Sequence, residues 1–311
     1  MRSNFNRQQN TKTKQNHLEE ADALFLPLTN DYVFTEVMKN PFILQGFLSD
    51  VLRIPIVDIE SIQVMDRYLG RGFKEGKLGI LDVRVDVKDV GNIDIELQML
   101  RYEDWKNRSI FYTSKMLTDT VRKGDDYLQC RKIISISILG FDLCEDTDYF
   151  YSSFHIREDG RHTLYNDLLE FHIIELCKLD CIPREEHRKL HKWSRLLNTK
   201  SEEERRSMEK DPYIEEVKKE LERLSNDPKR RLEYEAREDA LRDYMTQMES
   251  FKREGRAEGR AEGRAEGKAE GKEEVVMNAL EYNVPYKVDT LRSWSVYSAN
   301  TYNNRYFRRK N

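Results

Sequence analysis

The sequence has few of the residues that cross-link, bend or anchor a chain. Its 311 residues include only 4 cysteines, 7 prolines and 14 glycines. Because the cysteines lack the paired spacing of zinc ribbons and of small disulfide-rich domains, we expect reduced thiols. No stretch approaches the roughly 20 apolar residues that a membrane span needs, and residues 1–20 contain no apolar signal segment. We therefore expect a soluble, cytoplasmic protein without membrane contact. The four cysteines are Cys130, Cys144, Cys177 and Cys181.

Charge of one sign is not in excess either. Lys and Arg number 53 against 57 Asp and Glu, for a net charge of -4. The total gives no indication of a nucleic-acid partner, so such a function would need a local basic surface. Charged residues still make up 35% of the chain, and mean hydropathy is -0.80. We expect this charge to be concentrated outside a single core.

Composition divides the chain into five segments. Residues 1–20 are rich in Asn, Gln, Lys and Thr and are predicted to be disordered. Residues 21–182 carry the periodicity of one globular domain, whereas 183–254 change to Glu, Lys, Arg and Leu and predict a charged helical annex. In 255–274 Gly-Arg-Ala-Glu repeats, and a glycine at every fourth position predicts a weak helix or a tether. Residues 275–311 form a tail that is predicted to be disordered at its end, and the change to Ser, Tyr, Asn and Arg after Val288 suggests that the reading frame shifts there.

Within residues 21–182 the apolar spacing predicts helices, a strand, a hairpin, a longer helix and further strands. The most apolar β-branched run, at 133–139, is predicted to be a buried central strand. We predict helices at 32–38, 42–52 and 102–122, and strands at 59–65, 78–87, 93–99, 133–139, 149–156 and 168–176.

The hairpin alternates apolar and polar side chains on both strands. Since successive side chains of a strand point to opposite faces, one face is predicted to be core and the other to be wet. The apolar set is Leu81, Val83, Val85, Val87, Ile93, Ile95, Leu97 and Met99. The polar set is Asp82, Arg84, Asp86, Asp94, Glu96 and Gln98.

A turn centred near Asp89 sets the pairing of the two strands. It places Arg84 opposite Asp94, a favourable pair, and Asp82 opposite Glu96. Two carboxylates with Cβ atoms about 5 Å apart repel each other unless a cation binds or one is protonated. Mg²⁺, which takes a few carboxylate oxygens and keeps several waters, would resolve the conflict. The alternative is an ordinary half-exposed sheet with acidic outer residues.

The sequence motifs of this hairpin and of the segments around it resemble those of a known family. Residues 79–85 (Gly-Ile-Leu-Asp-Val-Arg-Val) and 93–98 (Ile-Asp-Ile-Glu-Leu-Gln) resemble the Asp … Glu-x-Gln version of the PD-(D/E)XK nuclease signature. The opening 28–34 (Leu-Thr-Asn-Asp-Tyr-Val-Phe) and the helix at 108–115 resemble its recombination-promoting nuclease and transposase branch. The resemblance covers about residues 24–180, and the Gly-Arg-Ala-Glu tract is also typical of the branch. It implies an α/β (α+β) fold: a restriction-endonuclease-like mixed central sheet flanked by helices, with a C-terminal helical extension.

The resemblance also implies an activity, a Mg²⁺-dependent endonuclease that hydrolyses phosphodiester bonds of DNA, with Mn²⁺ as a substitute. Asp82, Glu96 and the backbone carbonyl of Leu97 would bind the metal, which polarises the scissile phosphate and lowers the pKa of the attacking water. The third catalytic position, a lysine in most of the superfamily, is Gln98 here. Glutamine can orient a water but carries no charge and cannot act as a base.

Asp31 is a further candidate ligand, because relatives in this branch contribute an acidic side chain from the first helix. The alternative is that Asp31 only caps that helix, a position at which Asp is strongly favoured. The two interpretations stay open on the sequence.

A basic stripe is predicted on the helix after the hairpin. Arg101, Arg108, Lys115 and Arg122 follow at intervals of seven, and Tyr112 lies four residues after Arg108. Such a stripe can bind the phosphate backbone of DNA. The alternative is a solvated helix face with scattered ion pairs.

Two other function classes remain. A non-catalytic DNA-binding or assembly protein could retain the fold, and Gln98 favours this class slightly, whereas the Asp82 and Glu96 pair argues against it. A helical scaffold built on 184–254 would keep its partner after deletion of 1–180.

If both DNA strands are cut, two sites are needed, and we expect a homodimer. His155, His172, Trp105 and Phe111 are predicted to be packed rather than functional.

Overall fold

The computed structural model describes residues 25–59, 62–65, 68–69, 79–80, 82–122 and 124–281. The predicted disordered segment at 1–20 and the end of the tail lie outside these residues. The order of helices and strands is the predicted one, except that the strand predicted at 78–87 is divided into Gly79–Ile80 and Val83–Val87 and that Tyr68–Leu69 adds a short strand. The described helices are α1 (Asp31–Met38), α2 (Pro41–Leu52), α3 (Trp105–Asp119), α4 (Arg188–Leu197), α5 (Glu202–Ser207), α6 (Pro212–Asn226) and α7 (Pro228–Glu281). The strands are β1 (Ile62–Val64), β2 (Tyr68–Leu69), β3 (Gly79–Ile80), β4 (Val83–Val87), β5 (Gly91–Gln98), β6 (Ile133–Leu139), β7 (Tyr151–His155) and β8 (Leu169–Glu175).

Six strands form one mixed sheet in the order β1-β4-β5-β6-β8-β7, and β2 pairs with β3 separately. The centre is parallel, since β5 pairs with β6 and β6 with β8 in that sense. The flanks are antiparallel, with β1, β4 and β5 on one side and β8 and β7 on the other. All seven residues of β6 are buried, which confirms the predicted central strand. With helices on both sides, the α/β prediction is confirmed.

The hairpin has the predicted register, because Arg84 pairs with Asp94. Its turn needs residues that accept a positive φ: Asp89 has φ 61° and Gly91 has φ 146°. A Cβ atom at Gly91 would lie 2.5 Å from the Lys132 carbonyl oxygen. Only glycine therefore allows β5 to start this close to the chain that enters β6.

The two faces of the sheet pack against different helices. One face carries Ile93, Ile95 and Ile136 into the main core, together with buried residues of α1, α2, α4 and α6. The opposite face of β6 packs against α3: Trp105 clusters with Leu139, and Met116 with Ile133. Because Asp94 pairs with Ser135 and Glu96 with Ser137, the acidic residues of β5 lie on the face that α3 covers.

Helix α3 is shorter than the predicted 102–122. Asp104 occupies the N-cap position, and the helix ends where the hydroxyl of Thr120 donates to the Leu117 carbonyl at 2.7 Å. Trp105 is 1% exposed, which confirms its place in the core, whereas Phe111 is 51% exposed. The packing predicted for Phe111 is wrong, because the buried helix face carries Trp105 and Met116, and Phe111 is turned away from it.

Helices α4 and α6 extend the main core along their length. In α4, Trp193 Nε1 donates to Asp50 of α2 at 2.9 Å. The start of α7 is tied to α1, where the Tyr32 hydroxyl donates to Glu233 at 2.7 Å and Arg230 pairs with Glu36. The helical character predicted after residue 183 is confirmed, and the exact segment boundaries stay predictions.

Contacts divide the chain into two units, Met1–Arg237 and Glu238–Asn311. The described part of the second unit is helical throughout, so the Gly-Arg-Ala-Glu tract is helix rather than tether. None of the helices within the described ranges has the length and apolar character to cross a membrane. All four cysteines are free, as predicted.

Candidate active site

Two hydrogen bonds link the chain at Asp82 with the chain at Glu96 and Leu97, at the end of the hairpin. The backbone N–H of Leu97 donates to Asp82 Oδ2 at 2.8 Å. The backbone N–H of Asp82 in turn donates to the Glu96 carboxylate, a bond that lowers the pKa of Glu96. These bonds, and the repulsion of Glu96 by the charge of Asp82, show that the two carboxylates lie close to each other, in agreement with the predicted register.

The polar side of β5 is buried, which corrects the prediction of a wet face. Asp94 is 2% exposed, Glu96 8% and Arg84 8%. The reason is tertiary: β5 lies between β4 and β6, and α3 covers the face on which these side chains stand. An alternating pattern is typical of an edge with one solvated face, and it gives no signal that a helix will cover that face.

Asp94 also belongs to the acidic group. The sequence pattern predicted only that it pairs with Arg84. Burial raises the pKa of Asp94 well above its usual value, and the charge of Asp82 raises it further, while Arg84 opposes the shift. The signal available in the sequence was parity, because Asp94 lies two residues before Glu96 and shares its face.

The pKa of Glu96 is also raised by burial and by neighbouring acids. Its pKa is raised well above the usual value by burial first, and then by the charges of Asp94 and Asp82, against which Arg108 acts. Two buried carboxyl groups this close to a third acid favour their protonated forms unless a cation neutralises the site.

Unsatisfied oxygens identify where a cation would fit. Asp94 Oδ1 and Glu96 Oε1 are both buried without a hydrogen-bond partner, a costly state for a carboxylate. Over the ranges described, no three His, Cys, Asp or Glu side chains form a ready-made metal cage. Mg²⁺ does not require one, since it binds through one or two carboxylates and keeps several waters. The donor set at Asp82 and Glu96 therefore fits a hard divalent cation.

Gln98 stands at the end of β5 and is half-buried. Its side-chain Nε2 donates to the Leu100 carbonyl at 3.0 Å, which fixes the amide and orients its oxygen. This geometry suits an acceptor that orients a water, and it supplies no charge.

Asp31 lies in the first turn of α1, and Asn30 is the residue that caps this helix. The alternative of Asp31 as the cap is therefore wrong: Asn30 Oδ1 accepts the N–H groups of Tyr32 and Val33. Asp31 Oδ1 accepts the Tyr32 N–H at 2.7 Å, and Asp31 Oδ2 accepts from Arg237 at 3.1 Å. Its role as a metal ligand stays a prediction.

The predicted basic stripe is only partly helical. Arg101 and Arg122 lie outside α3, which corrects the placement of all four basic residues on one helix. Arg101 is exposed and pairs with Glu145 at 2.8 Å. Arg108 and Lys115 lie seven residues apart on α3 and are both half-buried. Arg108 Nη2 donates to the Tyr112 hydroxyl at 3.3 Å.

The two histidines predicted to be packed are packed. His172 is 3% exposed, its Nδ1 lies 2.7 Å from the Tyr151 hydroxyl, and its Nε2 lies 3.0 Å from Glu170 Oε1. His155 Nε2 lies 3.4 Å from the same oxygen. These contacts hold β7, β8 and the main core together.

A mixed sheet flanked by helices, with an acidic group on its central hairpin, defines an α/β protein of the PD-(D/E)XK nuclease fold class. The family profile described as PD-(D/E)XK nuclease family transposase matches residues 28–250. The chain belongs to this family. The match extends beyond the predicted 24–180 and includes most of the C-terminal helices. No curated protein and no solved structure matched the chain.

Family membership supports a nuclease- or transposase-related function in general terms and implies DNA as the substrate. Nucleases of this class typically use divalent metals, which agrees with the donor set at Asp82 and Glu96.

Proposed function

We propose that the protein is a Mg²⁺-dependent DNA endonuclease that hydrolyses phosphodiester bonds in recombination or transposition, with Mn²⁺ as a substitute ion. The observation that carries the proposal is the pair of hydrogen bonds that keeps Asp82 and Glu96 close, in a site where Glu96 Oε1 and Asp94 Oδ1 are buried without a hydrogen-bond partner. Such an arrangement is unfavourable for the metal-free protein and favourable for one that binds a divalent cation.

Asp82, Glu96 and the backbone carbonyl of Leu97 would hold the ion. When bound, Mg²⁺ would supply a Lewis acid that polarises the scissile phosphate and lowers the pKa of the attacking water. Gln98 would orient that water through its amide oxygen. The Leu97 N–H keeps one oxygen of Asp82 in place, so the carboxylate is oriented before the ion arrives.

The proposed DNA contacts are made around α3. Arg108, Tyr112 and Lys115 lie on this helix, and Arg101 and Arg122 lie just before and after it. Positive side chains here would bind the phosphate backbone, and their contribution to affinity would fall as salt concentration rises. Cleavage of both strands would require two sites and therefore a homodimer.

A plasmid-nicking assay in Mg²⁺ tests the proposal. We expect the native chain to convert supercoiled to nicked plasmid, and Asp82→Ala and Glu96→Ala each to lower the rate at least about 100-fold, because each removes a carboxylate that holds the ion. Asp89→Asn is the matched control, since it neutralises an exposed acid in the turn of the same hairpin. Nicking that survives both alanine variants, or that is lost equally in the control, contradicts the proposal.

The second candidate is a catalytically weak or inactive DNA-binding or assembly protein that retains the fold. The observation that favours it is Gln98, which leaves the third motif position uncharged. This candidate predicts salt-dependent DNA binding by the native chain, without any nicking in Mg²⁺ or Mn²⁺.

A further inference from the structure

The proposed active site lacks a positive charge at the motif position where its fold class usually has one. Gln98 is neutral, and its side-chain nitrogen already donates to the Leu100 carbonyl. Hydrolysis of a phosphodiester places additional negative charge on the phosphate oxygens in the transition state. A preorganised positive donor at that place is among the largest contributions an enzyme can make to the rate.

Arg108 lies at the right level of the sheet to supply this charge. Helix α3 runs antiparallel to β6, because Trp105 clusters with Leu139 and Met116 with Ile133. From Trp105 to Arg108 the helix rises about 4.5 Å, which corresponds to between one and two strand residues back from Leu139. That level is Ser137, the residue that pairs with Glu96 on β5.

The orientation of Arg108 agrees with this placement. Residues 105, 108 and 112 follow at helical spacing, so Arg108 shares the face on which Trp105 is buried against the sheet. The guanidinium is also close enough to Glu96 for their charges to interact. The level and the face of the helix therefore both place the guanidinium on the side of the acidic group.

Three aromatic rings hold the guanidinium in position. Arg108 Cζ lies 4.9 Å from the ring centre of Tyr102, 5.4 Å from that of Trp105 and 5.7 Å from that of Tyr112. The Tyr112 hydroxyl accepts a hydrogen bond from Nη2. Cation–π contacts of this kind restrict the side chain without neutralising it, so the charge stays available to an anion. The residue is also only half-buried, which leaves it accessible to DNA.

We propose that Arg108 is a catalytic residue that contacts the oxygens of the scissile phosphate and supplies, from α3, the positive charge that Gln98 does not. The inference rests on the proposed endonuclease function. In the reaction the water oxygen forms a bond to phosphorus, the bond from phosphorus to the leaving sugar oxygen breaks, the water proton passes to solvent, and the leaving oxygen takes a proton from solvent. Arg108 exchanges no proton, because a guanidinium stays charged throughout.

Arg84 is the other cation near the acidic group, and it is less suited to this role. It is 8% exposed and pairs directly with Asp94 across the hairpin. Its charge lowers the pKa of Asp94. Arg84 therefore compensates a buried carboxylate, whereas Arg108 is caged by neutral rings.

Cleavage at saturating DNA separates catalysis from binding. We expect Arg108→Ala to lower the saturated rate about 100-fold and DNA affinity by no more than roughly tenfold, the share of one phosphate contact. The saturated rate of Arg108→Lys should lie between those of the native chain and of Arg108→Ala, since lysine keeps the charge but lacks the planar guanidinium. Lys106→Ala, which removes an exposed cation from the same helix, is the control and should cleave at the native rate.

Relocating the charge distinguishes a catalytic from a structural role. In the double variant Arg108→Ala/Gln98→Lys we expect at least about tenfold recovery of the saturated rate over Arg108→Ala alone, since the lysine restores charge beside the phosphate. A structural role for Arg108 predicts no recovery. Thermal stabilisation by Mg²⁺ should persist in Arg108→Ala, because the metal ligands are unchanged.

A readout without cleavage tests the placement itself. In metal-free protein, where DNA is bound but not cleaved, Arg108→Ala should weaken DNA binding by up to roughly tenfold and reduce its dependence on salt concentration, whereas Lys106→Ala should change neither. Equal effects of the two variants overturn the placement. A native chain that never cleaves overturns the proposed function and this inference together, whereas native cleavage that is abolished by Asp82→Ala but unaffected by Arg108→Ala overturns this inference alone.

Discussion

The energetics of the site depend on individual carboxyl groups that the fold has removed from water. Asp94 and Glu96 both have pKa values well above the usual 3.8 and 4.5, because burial penalises their charge and neighbouring acids add repulsion. Between those ordinary values and the raised ones, the folded protein retains protons that the unfolded chain has released. The stability of the metal-free protein therefore falls as pH rises from about 4 through this window.

This sign gives a prediction for metal-free protein. The free energy of unfolding, and with it the melting temperature, of the native chain should fall as pH is raised from about 4.5 to 7.5, because the folded state has to release protons that the unfolded chain has already lost. Asp94→Asn and Glu96→Gln should each reduce this slope, because an amide has no proton to lose. Mg²⁺ at pH 7.5 should restore the stability of the native chain and have less effect on Glu96→Gln.

Calorimetry across the pH range measures all of these changes. Asp89→Asn, in the exposed turn, is the control and should keep the native slope. Identical slopes in the native chain and in both buried amide variants would show that the acidic group is not responsible for the pH dependence.

At the scale of elements, α3 determines whether the hairpin carries an ordinary acidic surface or a buried site. Its inward face contains Trp105, Thr113 and Met116, all buried, and it covers the face of β6 next to Asp94 and Glu96. Its outward face exposes Ile110 and Phe111. Large apolar side chains therefore occur on both the buried and the exposed face of this helix.

Packing of α3 is tested by two truncations on its opposite faces. We expect Met116→Ala to lower the free energy of unfolding by about 2–5 kcal/mol, because Met116 is 0% exposed and leaves a cavity against Ile133. Phe111→Ala should change it by no more than about 0.5 kcal/mol, as for most exposed positions. Urea denaturation of both variants gives the comparison. A loss for Phe111→Ala as large as that for Met116→Ala would contradict the packing described for α3.

At the scale of the molecule, the domain that holds the site is completed by sequence-distant helices. The main core includes Leu190 and Trp193 of α4 and Val217 and Leu221 of α6, beside residues of α1 and α2. The first turns of α7 then fix α1 through Tyr32, whose pKa is raised by burial and by its hydrogen bond to Glu233. The chain from 183 to 237 is therefore part of the same unit as the sheet. A helical scaffold independent of residues 1–180 would not require these contacts.

This organisation predicts where the chain can be shortened. The buried core residues of the described chain all lie between Leu26 and Leu224, and Arg237 pairs with Asp31 of α1. A chain ending at Arg237 should unfold cooperatively with a melting temperature within a few degrees of the full chain, because it keeps all of these residues. Scanning calorimetry measures this. A broad or uncooperative transition would show that residues after 237 contribute to the fold.

Much of the architecture could be predicted because it depends on local pattern. The alternation around Val85 and Ile95 fixed the strand parity, and the residues around Asp89 fixed the turn, so the pairing of Arg84 with Asp94 followed. The β-branched run of β6 predicted a buried strand because no solvated residue interrupts it. The family resemblance followed from the order of these short strings, and the profile match confirms it.

The sequence by itself determined the order of the elements, the register of the hairpin and the convergence of Asp82 with Glu96, since each depends on neighbours in the chain or on the two-residue period of a strand. Only the tertiary structure decided that Asp94 belongs to the acidic group and that this face of the sheet is buried. It also decided that Arg108 lies close enough to Glu96 for their charges to interact, and that Arg101 and Arg122 lie outside α3. The physical reason is that burial and charge proximity are set by which helix covers which face of the sheet. That packing depends on contacts between residues such as Trp105 and Leu139, which no local pattern records.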